Sequence, residues 1–202
     1  GEWDVINWER RDGLLAFHES PKDQGTAPPA QPRTEFSTPP QTFNVLEMAT
    51  EIDLRGVNAS DRPVMFFWSR WAVGSGDSIR VEISHRDPSR IGSHACRGYA
   101  SNNQCYEKLY GWSEWSIIDT ATNLWQVNGT NQTYTWQRQQ IPLDQYAQSP
   151  GADGRIIRIR FVFDALNTNT KLDGWYIDGI SIRYEQPRVF PKIGRASCRE
   201  RV

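Results

Sequence analysis

Leu172-Asp173-Gly174-Trp175-Tyr176-Ile177-Asp178-Gly179-Ile180-Ser181-Ile182 joins an acidic turn to an apolar strand, and it follows closely on a second strand pattern, Arg155 to Asp164. In that second stretch Ile157, Ile159, Phe161 and Phe163 alternate with Arg158 and Arg160. A period of two is what a sheet with one buried face requires. Ile79, Val81 and Ile83 alternate with Arg80 and Glu82 in the same way. Val64-Met65-Phe66-Phe67-Trp68 is a continuous apolar run, short enough to be a strand covered on both faces, and Pro63 opens it where a strand tolerates proline. No window sustains a helical repeat. Many short strands separated by Gly, Pro and Asn turns predict an all-β chain, with antiparallel strands in two packed sheets.

The closing stretch resembles the "GWYIDDI" ending of the MAM-like jelly-roll modules attached to secreted bacterial proteins, notably immune inhibitor A-type metallopeptidases. Trp3 to Trp8, Glu19-Ser20-Pro21, Ile52-Asp53-Leu54, Val64 to Trp68, Asp77 to Ser84, Ile141 to Tyr146 and Ile156 to Phe163 fall in the order such modules show. The resemblance implies a two-sheet jelly roll over nearly the whole chain. It also implies a secreted or cell-surface protein whose catalytic domain, a zinc metallopeptidase, lies outside this sequence.

Ile193 to Val202 reads as a translated sequencing adapter, since ATCGGAAGAGC gives Ile-Gly-Arg-Ala in one frame, and Lys192 shares the doubt at that boundary. Residues 1–191 are therefore read as one module and residues 192–202 as non-native. Without the three Arg and one Glu of the tail, the net charge moves from -1 to about -3, and the odd cysteine, Cys198, disappears. With no Met at Gly1, the chain reads as an internal piece of a longer protein. A module of this size buries roughly 70% of the surface its unfolded chain exposes, enough to stand without a disulfide scaffold. The balanced, mildly acidic charge gives no reason to expect nucleic acid. No apolar run approaches the roughly 20 residues of a membrane span.

Two loops interrupt the strand pattern. Glu19 to Thr42, rich in Pro, Gln, Thr and Ser, is expected to be a long extended loop inside the module. Arg86 to Tyr110 carries Cys96 and Cys105, nine positions apart, which are expected to form a local disulfide. Closing so small a loop contributes about 2 to 3 kcal/mol, and such bonds persist in oxidising compartments, which favours export. Two sulfurs with only His94 nearby fall short of a tetrahedral metal site. Both loops are expected on the surface, where binding specificity usually resides.

Asp77 precedes the Ile79 strand, and Asp178 lies in the closing strand after Asp173. If those strands are neighbours, the carboxylates converge and repel unless a cation joins them. A structural calcium, held by Asp77, Asp178 and Asp173 with Glu2 or Asp4 from the edge of the same sheet in the resembled modules, satisfies that condition. Gly179 stands where those modules commonly carry a second acid. The alternative is that Asp77 and Asp178 bond loop amides. Among nine Trp, Trp125 and Trp136 with Tyr134 flank the polar turn Asn128 to Thr133, and aromatic rings beside amides suit a sugar ligand. The alternative there is that they cover a sheet edge. Asn58, Asn128 and Asn131 open N-glycosylation triplets, which a bacterial source would leave unmodified.

Trp112-Ser113-Glu114-Trp115-Ser116 spells WSxWS, the hallmark of class I cytokine receptors. There the motif follows a strand whose arginines interleave with its tryptophans, whereas the Arg158 and Arg160 strand lies downstream here. The expectation is that Trp112 or Trp115 packs on the core.

No HExxH, GxSxG or phosphate-cradling loop occurs, and His18, His85 and His94 are the only histidines. The expected function is therefore a non-catalytic accessory or adhesion module whose loops contact a partner protein, a glycan or the parent's catalytic domain. A carbohydrate-binding module is the first alternative. A small jelly-roll glycoside hydrolase using paired carboxylates such as Asp173 and Asp178 is the second.

Overall fold

The computed structural model describes residues 3–6, 11, 16–18, 42–87, 111–119, 124–148, 155–165 and 174–184, with backbone alone at 4–6, 18, 42 and 59. Glu2, Asp173, Cys96, Cys105, the tail and most of the two long loops lie outside the described residues, so the expectations placed on them are not addressed below.

The strands are β1 (Asp4–Ile6), β2 (Ala16–His18), β3 (Thr42–Glu47), β4 (Ile52–Asp53), β5 (Pro63–Val73) and β6 (Ser78–His85). They continue with β7 (Ser116–Ile117), β8 (Gln126–Asn128), β9 (Asn131–Pro142), β10 (Ile156–Ala165) and β11 (Gly174–Tyr184). One sheet runs β1-β2-β11-β5-β9 and the other β3-β10-β6-β7, with β4 beside β10 and β8 beside β6. All pairings are antiparallel. The chain changes sheet between β2 and β3, β4 and β5, β5 and β6, β8 and β9, β9 and β10, and β10 and β11. This is the strand order of a jelly roll, and the chain is an all-β, two-sheet sandwich. Among the described residues helix is confined to a turn at Ala59–Asp61 and the single turn α1 (Asp144–Ala147). Among the described residues no helix is long and apolar enough to cross a membrane.

Alternation decides what faces inward. Ile79, Val81 and Ile83 of β6 and Ile157, Ile159, Phe161 and Phe163 of β10 meet Met65, Phe67 and Val73 of β5 and Trp175 and Ile177 of β11 between the sheets. Trp175 is the centre of this layer. Its ring stacks on Trp125 at 5.6 Å and meets Trp3 and Phe161 edge-on at 5.6 and 5.8 Å. Its indole N–H, which would be costly to bury unbonded, donates to Ser69 Oγ at 2.7 Å. This explains a serine at a fully buried strand position.

Val64 to Trp68 forms the strand its composition predicts, between β11 and the edge strand β9 of the five-stranded sheet, but only one of its faces meets the apolar layer. Met65 and Phe67 point into the core, while Phe66 and Trp68 face outward and are half-buried beneath arginines.

Candidate functional site

The outer face of the five-stranded sheet gathers side chains from four strands and one loop residue. Along β11 the register sets Tyr176 against Arg70 and Asp178 against Trp68 of β5, and β5 in turn sets Trp68 against Arg138 and Phe66 against Gln140 of β9. Over these rings lie guanidinium groups: Arg11 at 4.4 Å from the Trp68 centroid, Arg70 at 4.3 Å from Tyr176, and Arg138 at 4.2 Å from Phe66. Trp136 meets Tyr176 edge-on at 6.4 Å, and Ala16 of β2 completes a small apolar cluster with them. A guanidinium over a ring is attracted by the ring's quadrupole and keeps its N–H edge available for a planar anion.

Asp178 organises this face. Its Oδ2 accepts the Arg11 backbone N–H at 2.7 Å and its Oδ1 accepts the Gly179 N–H at 2.6 Å. The first bond fixes residue 11 beside β11, where its guanidinium reaches Trp68. The second caps a β-bulge, since the β11–β5 register shifts between Asp178 and Ser181. Gly179 has φ 59°, a left-handed conformation that favours glycine, and this is the physical reason for Gly where the resembled modules carry an acid.

The condition under which Asp77 and Asp178 would converge is not met, because β6 and β11 belong to different sheets. Asp77 is buried in the β5–β6 turn, its N–H donating to Gly74 O at 3.1 Å and its carbonyl accepting from Gly129. Asp178 sits opposite Trp68, several residues away along β5. Of the alternatives weighed for these acids, the amide-bonding one describes Asp178. Asp4 falls on β1 at the sheet edge, in register with His18, which pairs with Tyr176. Gly174, the residue after Asp173, pairs with Ala72 near the Asp77 turn. Among the described residues no three His, Cys, Asp or Glu side chains come together to hold a metal ion, and of the expected calcium set only the Asp77 and Asp178 side chains are described.

The three aromatics expected to form one platform are divided. Trp125 points between the sheets, stacked on Trp175 and edge-on to Phe67 at 5.3 Å, with its N–H donating to Gln139 at 3.3 Å. It is partly buried against the inter-sheet core, with one face of its ring covered by Trp175. Trp136 belongs to the outer face just described. Tyr134, 51% exposed, donates to Gln132 on the same strand. On β9, alternation puts Gln132, Tyr134, Trp136, Arg138 and Gln140 on the outer side, because Ile141 enters the core and Gln139 meets Trp125.

The WSxWS segment lies on the outer face of the second sheet, where Trp112 is buried. Neither tryptophan joins the inter-sheet cluster. The segment runs along β6, bridged at Arg86 to Trp112, with Ser113 N–H donating to His85 O at 2.8 Å and Ser113 Oγ accepting from His85 N at 3.0 Å. Trp112 and Trp115 reach across β6 to β10. Arg158 lies 4.1 Å from Trp112 and 5.1 Å from Trp115, and Arg160 lies 4.2 Å from Trp115. The arginines interleave with the tryptophans although they come later in sequence, because β10 and the motif flank β6. Glu82, buried on β6, accepts from Arg160 at 2.6 Å and from Arg80 at 2.6 Å, and Arg80 also reaches Asp164 at 3.1 Å.

The structure thus defines a jelly-roll sandwich with one outer face closed by ion pairs and the other surfaced by stacked arginines. No family model matches the chain, and no curated protein is significantly similar to it.

Proposed function

We propose that the chain is a non-catalytic accessory or adhesion module of a secreted or cell-surface bacterial protein, of the MAM-like kind, whose ligand surface is the outer face of the five-stranded sheet. The observation that carries this reading is that Phe66, Trp68, Tyr176 and Trp136 lie outside the inter-sheet core, in one patch with Arg11, Arg70 and Arg138. Aromatic and arginine side chains so grouped are the composition of recognition surfaces. In the parent protein the module would serve a catalytic domain, a metallopeptidase by the resemblance. Export is supported by that resemblance and by the expected Cys96–Cys105 bond, which a thiol titration of the folded chain tests directly.

Carbohydrate is the ligand class that a specific observation favours. Gln132, Tyr134, Trp136, Arg138 and Gln140 alternate along the outer side of β9, an edge strand, so rings and hydroxyl-bonding groups share one row. The test is to assay the purified chain for binding to polysaccharides and for their hydrolysis. Binding without release of reducing ends, lost in Trp136→Ala at unchanged melting temperature, is the expected result. Turnover by the chain alone would replace the accessory reading with the hydrolase one.

A further inference from the structure

We infer that this face takes an acidic polysaccharide, one whose repeating units carry carboxylate or sulfate groups; the inference rests on the binding-module reading above. Its basis is the segregation of charge. The chain as a whole has a net charge of -1. Yet around Trp68 the described side chains of this face are Arg11, Arg70 and Arg138 against the one carboxylate of Asp178, whose two oxygens each accept a backbone N–H. Among the described residues no carboxylate comes within ion-pair distance of Arg11 or Arg138. Asp4 lies on the edge strand β1, three strands from β5 in the order β1-β2-β11-β5.

Geometry narrows the partner further. Arg138 is in register with Trp68, and Arg70 follows Trp68 by two residues on the neighbouring strand. Arg11 and Arg138 are each held by a ring, so their forks of donors are pre-organised for a planar or tetrahedral oxyanion, a bidentate geometry that lysine does not offer. Between and beside these cations, Trp136 and Tyr134 offer ring faces, and Gln132 and Gln140 offer amides for hydroxyls. Single-stranded nucleic acid also pairs stacking with cations. It is disfavoured because the rings of Phe66, Trp68 and Tyr176 lie beneath guanidiniums, which leaves few open faces for successive bases.

The experiment is affinity electrophoresis and calorimetry of the full chain with four polymers. These are polygalacturonate for carboxylates, dextran sulfate for sulfates, unmodified dextran for neutral sugar, and poly(dT) as a nucleic-acid polyanion. The expected result is binding to one or both acidic glycans that weakens as salt rises, with dextran and poly(dT) bound at least about tenfold more weakly. Arg138→Gln, at an exposed position where folding is not at risk, is expected to lose about tenfold in affinity, the effect of one charge-assisted contact. Carboxylate against sulfate is decided by which of the two polymers binds. Equal binding of neutral dextran would overturn the acidic class while leaving a carbohydrate-binding face. Poly(dT) binding as tightly as the glycans would overturn the glycan commitment. Failure of all four polymers would overturn the inference itself, whereas release of reducing ends from any of them would overturn the accessory reading beneath it.

Discussion

Both outer faces of this sandwich stack arginines on aromatic rings, and they do so to opposite ends. On the face of β10 and β6, Arg160 and Arg80 converge on Glu82, and the three side chains are only 11%, 16% and 8% exposed. Trp112 and Trp115 then close the ladder from above. On the face of β5, β9 and β11 the rings are likewise capped, but among the described residues around Trp68 the one carboxylate, Asp178, accepts two backbone N–H groups, and none comes within ion-pair distance of Arg11 or Arg138. The same pair of residue types therefore forms a sealed surface where acids alternate with the arginines, and a cationic one where they do not. The lesson is that a cation–π stack does not announce a binding site; the charge balance around it does.

The comparison breaks most visibly at Glu82. Replacing it with Ala leaves two guanidinium groups facing each other in a largely buried setting, and we expect a loss of about 3 kcal/mol, read as a lower denaturation midpoint in urea. A midpoint within error of the parent chain would mean the ladder is held by its tryptophans alone. Asp178→Asn comes next. It weakens the clasp on Arg11 and on the bulge, so about 1 to 2 kcal/mol should go, together with part of the polymer affinity. Loss of stability with affinity untouched would separate Asp178 from the binding face.

Asp53 supplies a baseline from the rim of the second sheet, where β4 pairs with β10. It forms an exposed pair with Arg55 at 2.6 Å, and the Arg55 side-chain and backbone hydrogen bonds lower its pKa from 3.8 to about 2. A depressed carboxyl pKa stabilises the fold above 3.8, and that contribution disappears as the pH falls through about 2. A carboxyl titration followed by NMR should place the midpoint near 2, and Arg55→Gln should return it toward 3.8.

Smaller still is the expected effect of Arg138→Gln on folding, within about 0.5 kcal/mol, because the side chain is exposed and pairs with no carboxylate among the described residues. A larger loss would show that the open face is as structural as the sealed one. Smallest is calcium. With Asp178 engaged by amides and Asp77 in the β5–β6 turn, melts in millimolar calcium and in EDTA should coincide, and a calcium-dependent rise that Asp77→Asn removes would reinstate the ion.

Much of the fold was legible because alternation is a local property. The strands at Ile79 to Ile83, Ile157 to Phe163 and Trp175 to Ile177 face inward where their pattern puts them. Trp125 was misjudged because it stands between the short strands β7 and β8, where a period of two has too few residues to assign a face. Gly179 could have been read as a bulge, given a glycine inside an apolar strand. The Arg138–Phe66, Arg70–Tyr176 and Arg11–Trp68 stacks left no such signal, since their partners are brought together by strand pairing and, for Arg11, by a loop tied to Asp178.

The amino-acid pattern by itself determined that this chain is a two-layer antiparallel β protein, because hydrophobic alternation specifies a buried face without reference to which strand lies next to which. The tertiary structure alone decided which sheet each strand joined, and with it which arginines met Glu82 and which met solvent. Charge balance on a face is a sum over neighbouring strands, and neighbours in a jelly roll are distant in sequence.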